Sequence, residues 1–129
     1  MTVRVLVAGI HVNDGPKAYD FYTQVLGWRD ALVVHSEQLY ILGPSTGWEM
    51  GCQINLEPIT DEITRRFQEH QFREGLTALM LAVHDVEAEY ERLRARGDIV
   101  FRLELTHDAI GKHFQIEDTV GNVLSIHQS

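Results

Sequence analysis

Seven histidines give this chain its most versatile chemistry. Three of them, His11, His84 and His127, lie in or beside apolar segments typical of β-strands. Their ring nitrogens, with a carboxylate from Glu49 or Glu117, could bind a divalent metal ion. Because an imidazole titrates near neutral pH, one of these histidines could instead transfer protons in an enzyme that needs no metal. No His-x-His or His-x3-His motif occurs, so spacing alone favours neither chemistry.

Composition narrows the class of partner. The chain has 129 residues, of which 44% are apolar and 23% are charged, as in an ordinary globular protein. A formal net charge of −8 argues against nucleic acid and is compatible with a neutral or cationic ligand. No apolar run approaches a membrane span, and Met1 is not followed by a signal peptide. Cys52 is the single cysteine, so we expect a reducing, cytoplasmic location.

One pattern of elements occurs twice, about 70 residues apart. The first copy begins with a strand over 3–12, and Asp14 then caps an amphipathic helix that Gly27 ends. Strands over 28–35, 37–42 and 48–56 complete it.

The second copy begins with a strand over 76–83, after which Asp85 caps a helix that Gly97 ends. Strands over 98–105, 112–117 and 122–127 follow, and Gly121 is suited to the positive φ of the last turn. Between the copies, Thr60 is the expected cap of a linking helix with a solvated charged face.

These elements predict an α+β fold of two βαβββ modules, whose curved mixed sheets enclose a cleft. Module 1 covers about 1–57, the linker helix about 58–74 and module 2 about 75–129, within a single domain of 1–129.

Strand alternation predicts which side chains line that cleft, because alternate residues of a strand face opposite sides of its sheet. The predicted pocket has an apolar floor and polar walls, as small-molecule sites do. The candidate ligand-binding residues are Val7, Gly9, His11, Gln53, Asn55, Ala78, Met80, Ser125 and His127.

Three motifs resemble the vicinal oxygen chelate superfamily, which includes glyoxalase I, bleomycin-resistance proteins and extradiol dioxygenases. Residues 14–28, with Asp14-x3-Ala18-x2-Phe21-Tyr22, resemble its first helix, and 85–97 resemble its second. Residues 111–124 resemble its closing hairpin, with Thr119 where the family usually has proline. The likeness covers essentially the whole chain and implies the two-module fold and a homodimer.

Metal-dependent members of that superfamily hold a divalent ion with His, Glu or Gln side chains. The resemblance places the four ligand positions at Val7, near Gln53, at Ala78 and at Ser125. Two of these side chains are hydrocarbon and a serine hydroxyl is a poor ligand, so the resemblance implies that no metal cofactor is bound at the usual place.

We therefore predict a metal-independent small-molecule binding protein of the bleomycin-resistance type, which sequesters an antibiotic or a metabolite. Whether the chain is an enzyme stays open. One alternative is a glyoxalase-like lyase, isomerase or dioxygenase with a noncanonical divalent metal site. Another is a metal-free biosynthetic enzyme with a His or Glu base. The sequence does not identify the ligand.

Overall fold

The computed structural model describes residues 2–44 and 51–129. Trp48, Glu49 and Met50, which belong to the fourth predicted strand, lie outside these ranges. The strands are β1 Val7–Val12, β2 Arg29–Val34, β3 Leu39–Gly43, β4 Gln53–Pro58, β5 Thr77–Val83, β6 Phe101–Asp108, β7 Gly111–Glu117 and β8 Val123–Gln128. The helices are α1 Gly15–Asp20, α2 Glu62–Arg73 and α3 Val86–Arg96. No helix in the described ranges is both long and apolar enough to cross a bilayer.

The strands form two four-stranded sheets of the same topology, ordered β1-β4-β3-β2 and β5-β8-β7-β6. In each sheet the first and last strands of the module pair in parallel and the other neighbours pair antiparallel. This confirms the predicted α+β class and the repeated βαβββ order. The chain divides into two compact units, Met1–Arg65 and Arg66–Ser129, and each contains one sheet.

In the first unit, α1 begins where the sequence predicts it. The Asp14 carboxylate accepts a hydrogen bond from the Lys17 backbone at 3.0 Å, and Pro16 occupies the first turn. The helix continues as a π-helical turn over Phe21–Val25, and Gly27 follows with a φ of 74°. The predicted apolar face of this helix is buried at Ala18, Phe21, Tyr22 and Val25.

In the second unit, α3 repeats this construction. The Asp85 carboxylate accepts from the Ala88 backbone at 3.0 Å, and Gly97 ends the helix with a φ of 78°. The helix buries Val86, Tyr90 and Leu93, while one face of the sheet buries Phe114, Ile116, Leu124 and Ile126.

The start of α2 differs from the prediction. Asp61, not Thr60, caps this helix, because its carboxylate accepts from both the Thr64 backbone at 2.9 Å and the Thr64 hydroxyl at 2.8 Å. These hydrogen bonds lower the pKa of the Asp61 carboxyl. Two adjacent residues could each serve as a cap, and a carboxylate with two acceptor oxygens satisfies more donors than one hydroxyl.

The turn that joins β7 to β8 is organised around one buried carboxylate. Asp118 accepts from the Val120 backbone at 2.9 Å, the Asn122 backbone at 2.9 Å and the Asn122 side chain at 2.8 Å. Gly121 has a φ of 99°, as predicted, and Thr119 also has a positive φ, of 69°. The turn fixes where β8 begins.

Candidate functional site

The first sheet has one buried and one open face, and five candidate residues lie on the open face. Parallel register places Val7 opposite Gln53 and Gly9 opposite Asn55, with His11 next along β1. All five are exposed or half-buried. The alternate residues of these strands are buried at Ile10, Val12, Ile54 and Leu56. The predicted alternation is thus confirmed for this sheet.

Glu57 also lies on this face and was not among the candidate residues. It is opposite His11 in the register. Its Oε2 lies 3.6 Å from His11 Nε2, and its Oε1 accepts from the Asn55 side-chain amide at 3.2 Å. The signal was present in the sequence, because the period of two through Gln53 and Asn55 continues to Glu57. The prediction ended the strand at Leu56, two residues before its observed end at Pro58.

Gly9 leaves room for the Glu57 carboxylate. A Cβ atom at Gly9 would lie 3.2 Å from Glu57 Oε1, which is closer than ordinary van der Waals contact. The absent side chain therefore lets a carboxylate from β4 approach the backbone of β1. Here glycine accommodates a close approach and not a turn.

The neighbouring strand gives this face an apolar part. Ile41 of β3 is opposite Asn55, and Leu32 of β2 is opposite Ile41. Ile41 is half-buried and Leu32 is 53% exposed. The open face therefore combines a hydrocarbon surface with amide, imidazole and carboxylate groups, the mixture found in small-molecule sites.

The second sheet carries the remaining candidate residues. Met80 is opposite Ser125 and Ala82 is opposite His127, so these residues share a face. Their environments differ, since Met80 is 66% exposed and Ser125 is 3% exposed. The register shifts between Thr77 and Leu79, so the regular alternation that the prediction assumed is interrupted at Ala78.

Two histidines and a serine form a compact group on this second sheet. The rings of His113 and His127 stack at a centroid distance of 4.9 Å with an angle of 7° between their planes. Ser125 Oγ lies 2.5 Å from His127 Nε2. His113 Nδ1 lies 3.0 Å from the Gly111 carbonyl oxygen, which can only accept, so the hydrogen-bond network assigns the proton of a neutral His113 ring to Nδ1.

Burial sets the protonation of this group. Desolvation, followed by repulsion from a charged His113, lowers the pKa of His127, and Asp108 opposes this in part. Asp108 Oδ2 lies 3.8 Å from His113 Nε2. Two rings stacked this closely repel each other when both are protonated, so the pair favours at most one charge. A neutral His127 with its proton on Nδ1 accepts a hydrogen bond from the Ser125 hydroxyl at Nε2.

The metal-ligand positions inferred from the resemblance do not suit a metal ion. Val7 and Ala78 have no donor atom, and the Ser125 hydroxyl is already bonded to His127. In the described part of the chain, no group of three or more His, Cys, Asp or Glu side chains could hold an ion. The alternative metal set of His11, His84 and His127 with Glu117 gains no support there, and Glu49 lies outside the described residues.

A groove of about 970 Å³ lies elsewhere on the first unit. Two of its polar groups satisfy each other, since the Tyr19 hydroxyl donates to the Asp30 carboxylate at 2.8 Å. This hydrogen bond raises the pKa of Tyr19. The groove is lined by Tyr19, Thr23, Gln24, Gly27, Trp28, Arg29 and Asp30, none of which lies among the candidate residues.

Two repeated modules, each with a mixed four-stranded sheet, define a class of α+β proteins in which function varies on one fold. The chain belongs to the Glyoxalase/Bleomycin resistance protein/Dioxygenase superfamily, whose family profile matches residues 4–126.

Individual proteins support this assignment. The uncharacterized protein YurT of Bacillus subtilis (strain 168) is 30% identical, covering 98% of this chain and 99% of its own. The crystal structure of UcmS2 has a TM-score of 0.79 at 26% identity, with full coverage of both chains. TnmS3, an antibiotic binding protein from Streptomyces sp. CB03234, has a TM-score of 0.69 at 22% identity, with coverage of 98% and 96%. The likeness to TnmS3 shows the shared fold.

Proposed function

We propose that this chain is a metal-independent small-molecule binding protein of the glyoxalase/bleomycin-resistance type. The open face of the first sheet carries the proposal. It presents a polar group of His11, Asn55 and Glu57 beside exposed hydrocarbon at Val7 and Leu32. The fold shared with an antibiotic binding protein makes sequestration of an antibiotic or a metabolite a reasonable role.

Donor chemistry supports the proposed metal independence. Valine and alanine cannot ligate an ion, and a neutral serine hydroxyl bonded to a histidine is a weak donor. We also propose that the protein is a cytoplasmic homodimer and that its partner is a small molecule, since a net charge of −8 disfavours nucleic acid.

The test is a thermal-shift screen against antibiotics and aromatic metabolites, repeated with EDTA present. A ligand that binds only the native state raises the melting temperature, by mass action. We expect hits whose shifts are unchanged by EDTA. Shifts that disappear with EDTA and return with one divalent metal would contradict metal independence.

A pair of matched variants locates the binding surface. Val7→Trp places an indole on the open face, where Val7 is 38% exposed, and Val3→Trp adds the same group at a position that is 92% exposed and precedes β1. We expect Val7→Trp to abolish the ligand-induced shift and Val3→Trp to keep it. Retention of the shift in both variants would place the ligand elsewhere, with the Tyr19 groove as the next candidate, and loss in both would contradict the assignment to the open face.

A second candidate function is a metal-free enzyme with His127 as general base. The observation that favours it is the neutral His127 ring, whose Nε2 lies 2.5 Å from Ser125 Oγ. This function predicts turnover of a bound ligand in EDTA, lost in His127→Gln and retained in His107→Gln. Binding with no chemical change in the ligand supports the first proposal instead.

A further inference from the structure

We infer that Glu57 is the charged anchor of the open face and that it selects a ligand with a cationic amino group. This inference rests on the proposed function and names its ligand class. The occupant we expect is an amphiphilic amine, with its ammonium group at Glu57 and its apolar body on the neighbouring strands.

The Glu57 carboxylate is positioned but not neutralised. Asn55 donates to Oε1 at 3.2 Å, and this amide carries no charge. His11 lies 3.6 Å from Oε2 and balances the carboxylate only when it is protonated. The Glu57 side chain is 47% exposed, so it is open to a further partner.

Fixed cations are absent from the strands around it. The described strands β1, β3 and β4 contain no lysine or arginine. The Glu117 carboxylate of the second unit, by contrast, is paired with Arg102 at 3.3 Å. An ammonium group would give Glu57 a charge-assisted hydrogen bond that no described lysine or arginine provides.

The surface next to Glu57 suits the rest of such a ligand. Leu32 is 53% exposed, and Ile41 lies half-buried between Leu32 and Asn55 in the register. Val7, opposite Gln53 on the same face, is 38% exposed. A hydrocarbon or aromatic body would bury this area and gain hydrophobic free energy. A purely polar cation would gain little here, so we expect both properties in one molecule.

Three probes with one ring system and different head groups test the charge requirement: 2-naphthylmethylamine, 2-naphthylmethanol and 2-naphthoate. Affinity is measured by calorimetry near pH 8, and location by NMR shift changes at the Gly9 and Asn55 amides. We expect the amine to bind about fivefold more tightly than the alcohol, at the upper end of what one partly exposed charged pair contributes. We expect the carboxylate probe to bind most weakly.

Three variants separate the local carboxylate from general charge. Glu57→Gln should make the affinities for the amine and the alcohol equal. Glu37→Gln removes the same charge from an exposed turn of the same unit and should leave the preference intact. Gly9→Ala keeps the charge but displaces Glu57 Oε1, so it should reduce the ratio of amine affinity to alcohol affinity.

The outcomes distinguish the two proposals. Equal binding of all three probes by the wild type, with shifts at Gly9 and Asn55, overturns the role of Glu57 and leaves the binding function standing. The role of Glu57 is also overturned if the preference for the amine persists in Glu57→Gln, or if Glu37→Gln removes it as well. Failure of every probe to bind at millimolar concentration, together with an empty antibiotic and metabolite screen, overturns both.

Discussion

At the scale of single residues, His127 links the candidate site to proton uptake. Its ring stacks on His113 and bonds to Ser125 on one face of the second sheet. Burial and repulsion from His113 favour its neutral form. The acceptor at Nε2 exists only in that form, so protonation reverses the hydrogen bond with the Ser125 hydroxyl, and its cost in folding free energy comes from burial and from repulsion by His113.

The pH dependence of stability tests this arrangement. Because the pKa of His127 is lowered from 6.5 in the folded state, the unfolded chain binds more protons in this range. The His127 contribution should be complete above about pH 6.5 and be lost as the pH falls through that value toward the folded pKa. Urea denaturation at about pH 7.5 and 5.5 measures the loss.

A matched pair of variants identifies the ring responsible. His127→Gln should reduce the difference in unfolding free energy between the two pH values. His107→Gln, at an exposed position of β6, should leave that difference unchanged. If His107→Gln flattened the profile as much as His127→Gln, the dependence would reflect overall charge and not the stacked pair.

At the scale of elements, the turn between β7 and β8 is the part of the second unit most dependent on polar contacts. Asp118 is fully buried, and its two oxygens accept three hydrogen bonds from within the turn. Asp118→Ala should lower the free energy of unfolding by about 3 kcal/mol, because three donors lose a charged acceptor. Urea denaturation measures this, and a loss below about 0.5 kcal/mol would contradict the assigned role.

The same turn is held by α2 through Gln68. The Gln68 amide donates to the Val120 carbonyl at 3.2 Å, and a Cβ atom at Gly121 would lie 2.6 Å from Gln68 Oε1. Gly121→Ala should therefore lower the free energy of unfolding by about 2 kcal/mol, because of positive-φ strain and displacement of Gln68.

Gly97→Ala is the matched control for that change. Gly97 has a φ of 78°, yet a Cβ atom there would meet nothing within 4 Å. Gly97→Ala should therefore lower the free energy of unfolding by about 1 kcal/mol, from backbone strain alone. Equal losses of stability at Gly121 and Gly97 would show that Gln68 moves aside freely.

At the scale of the whole molecule, the predicted homodimer is the property that a solution measurement decides most directly. Several large apolar side chains are exposed, with Val3 at 92%, Ile63 at 82% and Phe67 at 61%. Burial of such side chains against a second copy of the chain would gain hydrophobic free energy. Sedimentation equilibrium should give twice the mass of one chain at micromolar concentration, and a single-chain mass across the accessible range would exclude the dimer.

The sequence by itself determined the element order, two of the three helix caps and the face on which five candidate residues lie. These features depend on local rules, because Asp14 and Asp85 bond to their own helices and alternation acts within one strand. The same rules did not determine which of two adjacent residues caps α2, where Asp61 and not Thr60 is the cap.

The tertiary structure alone decided which side chains meet. The contact of Glu57 with His11 depends on the register between β1 and β4, which are distant in sequence. The stack of His113 on His127 likewise depends on the pairing of β7 with β8. Register and rotamer are set by packing across the whole sheet, so no local pattern in the sequence could specify these contacts.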